Sequence, residues 1–124
     1  MPEMHSKKIK LKRVIVPEST IESEILWRLY KLGIFAFKCP TTGFYDSKRK
    51  AFRKHTNPFC INGVSDIIAI IKGIFVAIEC KSAKGKPTPD QIKFIDNINK
   101  NGGVAFVARS WLEAETKLKE LGLI

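Results

Sequence analysis

The sequence lacks long apolar runs and has few cysteines. No apolar stretch approaches the roughly 18 residues of a membrane-spanning helix, so we expect no membrane segment. The basic first 13 residues have no hydrophobic region behind them, which argues against a signal peptide. The three cysteines, Cys39, Cys60 and Cys80, lie far apart among apolar neighbours. This pattern indicates reduced, mostly buried thiols in a cytoplasmic protein.

Zinc ligands are also scarce. Cys39, His55 and Cys60 form one conceivable set, but their spacing matches no usual C-x-x-C or H-x-x-x-H pattern. We therefore favour ordinary thiols over a zinc site.

Acidic residues are outnumbered, which leaves a large excess of positive charge. The 124 residues include 22 Lys and Arg against 12 Asp and Glu, a formal net charge of +10. Such an excess on a small protein indicates a polyanionic partner, first of all nucleic acid. A membrane surface would require an amphipathic helix with a basic face, and none is convincing.

The length supports one hydrophobic core, so we expect a flexible basic arm over residues 1–13 and a single domain over residues 14–124. The arm is either a solubilising tail or a DNA contact. Residues 40–62 combine turn formers, aromatics and basic residues, which indicates an irregular excursion or a short hairpin.

The apolar patterns predict an α/β fold with a mixed central sheet flanked by helices. The clearest helix start is Thr88-Pro89-Asp90-Gln91, which combines an N-cap, a proline in the first turn and a capping box. Trp27 and Trp111 are expected to lie partly in the core. The predicted elements are a helix from Pro17 to Gly33, strands over 34–37, 64–71 and 74–80, a helix from Thr88 to Gly102, a strand over 104–108 and a helix from Ser110 through Leu121.

The most informative geometry lies in the predicted hairpin. If Lys72-Gly73 is a two-residue turn, residues equally far before and after it face each other. Asp66 and Glu79 form such a pair, with Cβ atoms about 5 Å apart on one face. Lys81 lies two positions beyond Glu79 and therefore shares that face.

Two adjacent carboxylates in apolar surroundings repel each other, which raises one pKa sharply unless a cation lies between them. Oxygen ligands favour Mg²⁺ or Mn²⁺, and an adjacent lysine can orient a water or stabilise charge on a phosphate. The alternative is an ion-pair cluster without metal. We disfavour it because the end of a sheet gains little from paired like charges.

These residues stand in a recognisable order. The run from Glu18 to Ser110 resembles the virus-type replication-repair nuclease (VRR-NUC) family of the PD-(D/E)XK superfamily. The matching segments are ESTIESEI, GVSDIIAI, FVAIECKSAKGK, TPDQ and GGVAFVARS. The resemblance implies a restriction-endonuclease-like core. Ser65 departs from the pattern, since it stands where the motif often has proline.

The resemblance also implies roles for the hairpin residues. Asp66 and Glu79 would bind Mg²⁺ or Mn²⁺, helped by the backbone carbonyl of Cys80. Lys81 would position the nucleophilic water.

Three further residues match positions on the helices. Glu18 matches an acidic residue that reaches the metal through water, with Glu22 on the same helical face as the alternative. Gln91 matches a glutamine near the phosphate. Each also has a purely structural alternative. Glu18 would interact favourably with the dipole of its helix, and Glu22 could complete a capping box with Ser19. Gln91 could form a capping box with Thr88.

The expected function is a Mg²⁺-dependent, structure-selective DNA endonuclease, specifically a homodimeric resolvase of Holliday junctions or other branched DNA. Two symmetric cuts need two active sites, which a two-fold dimer supplies. The setting would be the cytoplasm, or the host cytoplasm if the protein is phage-encoded. The alternatives are a nickase, an end-processing nuclease, or a non-catalytic DNA-binding module on the same fold.

Phosphate binding is expected from the basic cluster within residues 48–54 and from lysines flanking the active face. The interleaved Phe44, Tyr45 and Phe52 could stack on exposed bases. Solvated surface charge is the alternative. The candidate DNA-binding residues are Lys38, Lys48, Arg49, Lys50, Arg53, Lys54, Lys84 and Lys86.

Overall fold

The computed structural model describes residues 15–40, 44–53 and 56–124, so the predicted basic arm lies outside the described residues. The fold is a mixed α/β fold with a four-stranded mixed sheet and three helices among these residues. The helices are α1 (Glu18–Lys31), α2 (Pro89–Lys100) and α3 (Trp111–Glu120). The strands are β1 (Phe35–Lys38), β2 (Phe44–Asp46), β3 (Ala51–Arg53), β4 (Ile67–Ile71), β5 (Ile74–Cys80) and β6 (Val104–Ala108).

The central sheet has the strand order β1-β4-β5-β6, and β2 pairs with β3 as a separate hairpin. Strands β1, β4 and β5 are antiparallel neighbours, whereas β6 runs parallel to β5. Lys72 and Gly73 both have positive φ, 51° and 78°, as a type I′ turn requires. Ile67 lies opposite Ile78, which confirms the predicted hairpin register.

One face of the sheet is covered by α1 and α3. Alternate residues of β4 and β5 point toward these helices, as the two-residue period of a strand requires. The buried residues of this layer include Ile25, Leu29, Ile67, Ile78, Val76, Cys80 and Leu118.

The other face is covered in part by α2, which packs against β5 and β6. Ile68, Ala77 and Ala105 are buried there beneath Phe94, Ile95 and Ile98. Beyond α2 the same face carries four exposed apolar side chains, Phe35, Phe37, Ile70 and Phe75.

The predicted capping of α2 and α3 is confirmed. Thr88 and Gln91 form a reciprocal capping box, and Ser110 Oγ accepts a hydrogen bond from the backbone N–H of Glu113. The N-cap of α1 is Pro17, which provides no side-chain hydrogen bond. A capping box between Ser19 and Glu22 is therefore not formed.

Several expectations are wrong. Trp27 is 59% exposed, because it stacks on Tyr30 along the outer face of α1 with 5.4 Å between ring centroids. Cys60 is exposed rather than buried, although Trp111 is half-buried as expected. The strand predicted from residue 64 begins only at Ile67, because the preceding residues bend toward α2.

Within residues 15–40, 44–53 and 56–124, no helix is both long and apolar enough to cross a membrane.

Candidate active site

Asp66, Glu79 and Lys81 meet at the end of the β4–β5 hairpin that lies away from its turn. Asp66 immediately precedes β4, Glu79 is the penultimate residue of β5, and Lys81 directly follows β5. Continuing the observed register by one step from Ile67 and Ile78 brings Asp66 opposite Glu79. The Nζ atom of Lys81 lies 3.5 Å from Oε1 of Glu79.

Glu79 is almost completely removed from water, with 1% of its surface exposed. Burial, and after it the negative charge of Asp66, raises the pKa of Glu79 to about 8, although the ammonium of Lys81 opposes this shift. Its Oε2 atom is buried and has no hydrogen-bond partner among the described residues. The site thus contains a carboxyl group that needs either a proton or a cation.

Asp66 is fixed by two hydrogen bonds from the neighbouring strands. Its Oδ2 atom accepts one from the backbone N–H of Cys80, at 2.8 Å, and its carbonyl oxygen accepts one from the N–H of Cys39, also at 2.8 Å. The N–H and C=O of one strand residue point to the same side. The carbonyl of Cys80 therefore points toward the side on which the Asp66 carboxylate lies.

The first two turns of α1 bring two more carboxylates, Glu18 and Glu22, near β5. Burial, followed by the negative charges of Asp66, Glu22, Glu79 and Glu18, raises the pKa of the Cys80 thiol. Glu22 is buried and its Oε1 atom lies 3.2 Å from Nζ of Lys38. Glu18 is exposed beside the loop after β5. Since Glu22 already has an ion-pair partner, Glu18 is the more available of the two.

The loop after β5 lies between Glu18 and Lys81. A Cβ atom added to Gly85 would lie 3.1 Å from Oε1 of Glu18 and 3.5 Å from Cδ of Lys81. The loop therefore approaches both side chains, and a side chain in place of Gly85 would displace the Glu18 carboxylate by a few tenths of an ångström. Lys84 and Lys86 on the same loop are exposed, as their predicted role requires.

Gln91 is engaged in capping. Its Oε1 atom accepts a hydrogen bond of 2.8 Å from the backbone N–H of Thr88. The start of α2 is held close to the hairpin by Gly63, whose added Cβ would lie 2.4 Å from the backbone carbon of Asp90. The structural role of Gln91 is thus confirmed, and its role near a phosphate stays a prediction.

The other predicted DNA-binding residues lie mostly on the β2–β3 hairpin. Lys48, Arg49 and Lys50 are exposed in its turn, where the Oδ1 atom of Asp46 accepts a hydrogen bond of 3.0 Å from the N–H of Lys48. Arg53 lies in β3, and Lys54 is outside the described residues. Three of the basic residues thus lie together in the turn of this hairpin. Lys38 lies elsewhere, in β1, and pairs with Glu22.

Arg109 was missed by the sequence reasoning. Its Nη1 atom donates hydrogen bonds of 2.6 Å to the carbonyl oxygens of Ser82 and Gly85. One residue before Arg109, the carbonyl of Ala108 accepts a hydrogen bond of 3.1 Å from the N–H of Lys81. Arg109 therefore fixes the loop that lies against Lys81. The only available signal was an arginine directly after an apolar strand, which is too common to be diagnostic.

The arrangement offers two adjacent carboxylates and a strand carbonyl, rather than a complete set of side-chain ligands. In the described part of the chain, no three His, Cys, Asp or Glu side chains form a group that could hold a metal ion. Comparisons with models of protein families, with curated proteins and with solved structures find no match for this chain.

Proposed function

We propose that the protein is a Mg²⁺-dependent nuclease that hydrolyses phosphodiester bonds in DNA, on a core of the PD-(D/E)XK type that resembles the VRR-NUC family. The observation that carries this proposal is the pairing of Asp66 with the buried Glu79 beside Lys81. A carboxyl pair of this kind is costly to maintain in apolar surroundings without a cation to bind.

The residues present fit a hard divalent cation. Oε2 of Glu79 is buried without a partner, and Asp66 is held beside it by the N–H of Cys80. Mg²⁺ commonly uses only one or two protein carboxylates and completes its shell with water and substrate oxygens. Asp66, Glu79 and the carbonyl of Cys80 would therefore hold Mg²⁺ or Mn²⁺. When bound, the ion supplies Lewis-acid polarisation of the phosphate and lowers the pKa of water.

The protein's own side chains would orient the reactants. Lys81 donates hydrogen bonds and would hold the attacking water in line with the scissile P–O3′ bond, while its charge stabilises the developing negative charge on the phosphate. Glu18 lies beside Lys81 across the loop and would bind water at the edge of the site. Attack of water on phosphorus with cleavage of the P–O3′ bond leaves a 5′-phosphate and a 3′-hydroxyl.

The net charge of +10 supports DNA as the polyanion. We infer that the turn of the β2–β3 hairpin and the loop after β5 contact phosphates on either side of the cut. Their exposed basic residues are Lys48, Arg49, Lys50, Lys84 and Lys86.

We further propose a homodimer that cuts branched DNA, such as a Holliday junction, at two symmetric positions. The supporting feature is the exposed apolar face of β1, β4 and β5, which we name the open sheet face and which consists of Phe35, Phe37, Ile70 and Phe75. Two copies with a charge of +10 repel each other, so an uncharged surface is the one suited to self-association. In a two-fold dimer such a surface meets its own copy.

Cleavage assays on junction, flap, nicked and linear DNA, in Mg²⁺ or EDTA, test the function. Asp66→Asn and Glu79→Gln preserve side-chain shape, and we expect each to reduce Mg²⁺-dependent cleavage by roughly 10²-fold or more while DNA binding persists. Glu120→Gln, an exposed change on α3, is the matched control and should cleave as the wild type does. Wild-type cleavage rates in either site variant would refute the proposal, and binding without cleavage by the wild type would favour a non-catalytic module.

A further inference from the structure

A cavity lies between α2 and the segment of residues 56–62, and neither Asp66 nor Glu79 belongs to its lining. Its volume is about 350 Å³, within the range of small-molecule sites. Its lining includes three asparagine amides, one carboxyl group, one ammonium group and one aromatic ring. These residues are Asn57, Asn62, Asn97, Asp90, Lys93 and Phe94.

One wall of this cavity is a well-defined turn. The backbone N–H of Cys60 donates to the carbonyl of Asn57 at 3.0 Å, and the N–H of Phe59 donates to Oδ1 of the same asparagine at 2.9 Å. Pro58 restricts the backbone between them. The wall is therefore ordered before any ligand arrives.

The turn holds an aromatic ring in water. Phe59 is 91% exposed, the largest value among the exposed apolar residues of the described chain. Exposed apolar residues are common, but this ring stands on a hydrogen-bonded turn between Pro58 and Cys60, which both line the cavity. A ligand with a flat face and a rim of hydrogen-bonding groups would use both features.

The cavity adjoins the proposed active site. Gly63 packs against the first turn of α2, and only two residues separate it from Asp66. Phe94 belongs to the apolar layer over Ala77, on the sheet face that β5 shares with Glu79. A nucleic-acid strand passing the carboxylates would therefore bring a neighbouring nucleotide to this cavity.

We propose that the cavity and Phe59 form a subsite for an unpaired nucleobase of the DNA substrate, an inference that rests on the proposed nuclease function. Phe59 would stack on the base, since every base offers a π-face. The side-chain amide of Asn97 would offer both donors and an acceptor to the base edge, and Lys93 would meet the adjoining phosphate. A paired base cannot enter, so the subsite would favour branched or locally melted DNA.

The test uses a DNA junction that carries 2-aminopurine, a fluorescent base, unpaired next to the branch, in EDTA so that no cutting occurs. Stacking on an aromatic ring quenches this fluorophore, so wild-type protein is expected to quench it on binding. Phe59→Ala should abolish the quenching and weaken binding roughly 5- to 150-fold. Because Phe59 is so exposed, this change leaves folding intact. Tyr30→Ala, which removes a 70% exposed ring on α1, is the matched control and should behave as the wild type.

A second measurement uses the exposed thiol of Cys60, which lies in the cavity lining. Alkylation of Cys60, followed by peptide mass spectrometry, should slow when junction DNA with an unpaired base is bound, but not with fully paired duplex. Equal quenching by wild type and Phe59→Ala, or unprotected Cys60, would overturn the subsite even if cleavage occurs. Protection of Cys60 by DNA without any cleavage would support the subsite but refute the proposed nuclease function.

Discussion

At the scale of single residues, the charge state of Glu79 controls what the site can bind. The carboxyl is buried beside Asp66, so without a cation its pKa of about 8 favours the protonated form at neutral pH. A cation between the two groups reverses this preference, because it interacts only with the ionised form. Metal binding and proton release are therefore linked.

This linkage predicts how the metal-free protein responds to pH. The unfolded chain releases the Glu79 proton near the ordinary value of 4.5, but the folded protein releases it only near 8. The folded state binds more protons than the unfolded state between these two pH values. The free energy of unfolding therefore falls as pH rises through this window, by on the order of a few kcal/mol. Thermal melts in EDTA should show this decline, and Glu79→Gln should flatten it. Glu120→Gln is the control, and an unchanged slope in Glu79→Gln would contradict the buried carboxyl.

The sequence was sufficient to pair Asp66 with Glu79, because a two-residue turn and the strand period are local properties. It was not sufficient to assign Glu22. The ion pair with Lys38 joins α1 to β1, and its geometry depends on how the helix packs on the sheet. The capping of Gln91 was predictable for the same reason as the hairpin, since its partner is three residues away.

At the scale of elements, Arg109 links the end of β6 to the loop after β5. Arg109→Met removes both hydrogen bonds to the carbonyls of Ser82 and Gly85. The loop then no longer fixes the position of Lys81, so we expect kcat to fall roughly 10- to 100-fold with KM nearly unchanged.

Arg109→Lys keeps one charged donor and should restore part of kcat. Steady-state kinetics on the preferred DNA substrate, with thermal melts alongside, separates this positioning role from simple destabilisation. Equal kcat in the wild type and Arg109→Met would contradict it.

Two glycines with the same φ allow the stability cost of an unfavourable backbone conformation to be separated from the cost of a steric clash. Gly63 and Gly73 both have a φ of +78°, but an added Cβ at Gly63 meets the backbone of Asp90, whereas at Gly73 nothing lies within 4 Å. We expect Gly73→Ala to cost about 1 kcal/mol from its conformation alone. Gly63→Ala should cost clearly more, because the α2 backbone must shift. Denaturant unfolding of both variants measures the difference, and equal losses would mean that Gly63 does not tie α2 to the hairpin.

Element boundaries were predictable where a cap or a turn defines them. The start of α2, strand β6 and the start of α3 follow the sequence signals closely. The start of β4 does not, because residues 64–66 leave the strand to let Gly63 meet α2, a contact between segments distant in the chain. The exposure of Ile92 was not predictable either. Its position in the apolar pattern of α2 suggests burial, but the side chain faces away from the sheet and is 46% exposed.

At the scale of the whole molecule, a mixed sheet between helices was predictable from the order of the elements, but the strand order and the open sheet face were not. The helix α2 packs mainly over β5 and β6, and nothing in its sequence says which strands it will leave uncovered. The open sheet face gives the dimer proposal its test.

Ile70→Glu places a charge in the open sheet face, on a residue that is 50% exposed. If this face joins two copies, the paired charges should shift the protein from dimer to monomer, because like charges would meet across a two-fold axis. Ile92→Glu makes the same change at a similarly exposed site on α2 and should stay dimeric. Sedimentation equilibrium measures both, and identical mass for the two variants would contradict the proposed interface.

Anomalous diffraction from crystals soaked in Mn²⁺ would show whether Asp66 and Glu79 share one divalent cation. We predict one anomalous peak per chain in contact with both carboxylates and the Cys80 carbonyl, and its loss in Asp66→Asn and in Glu79→Gln. No peak at this position in the wild type, or a peak that persists in both variants, would mean that the two carboxylates do not hold a metal ion together.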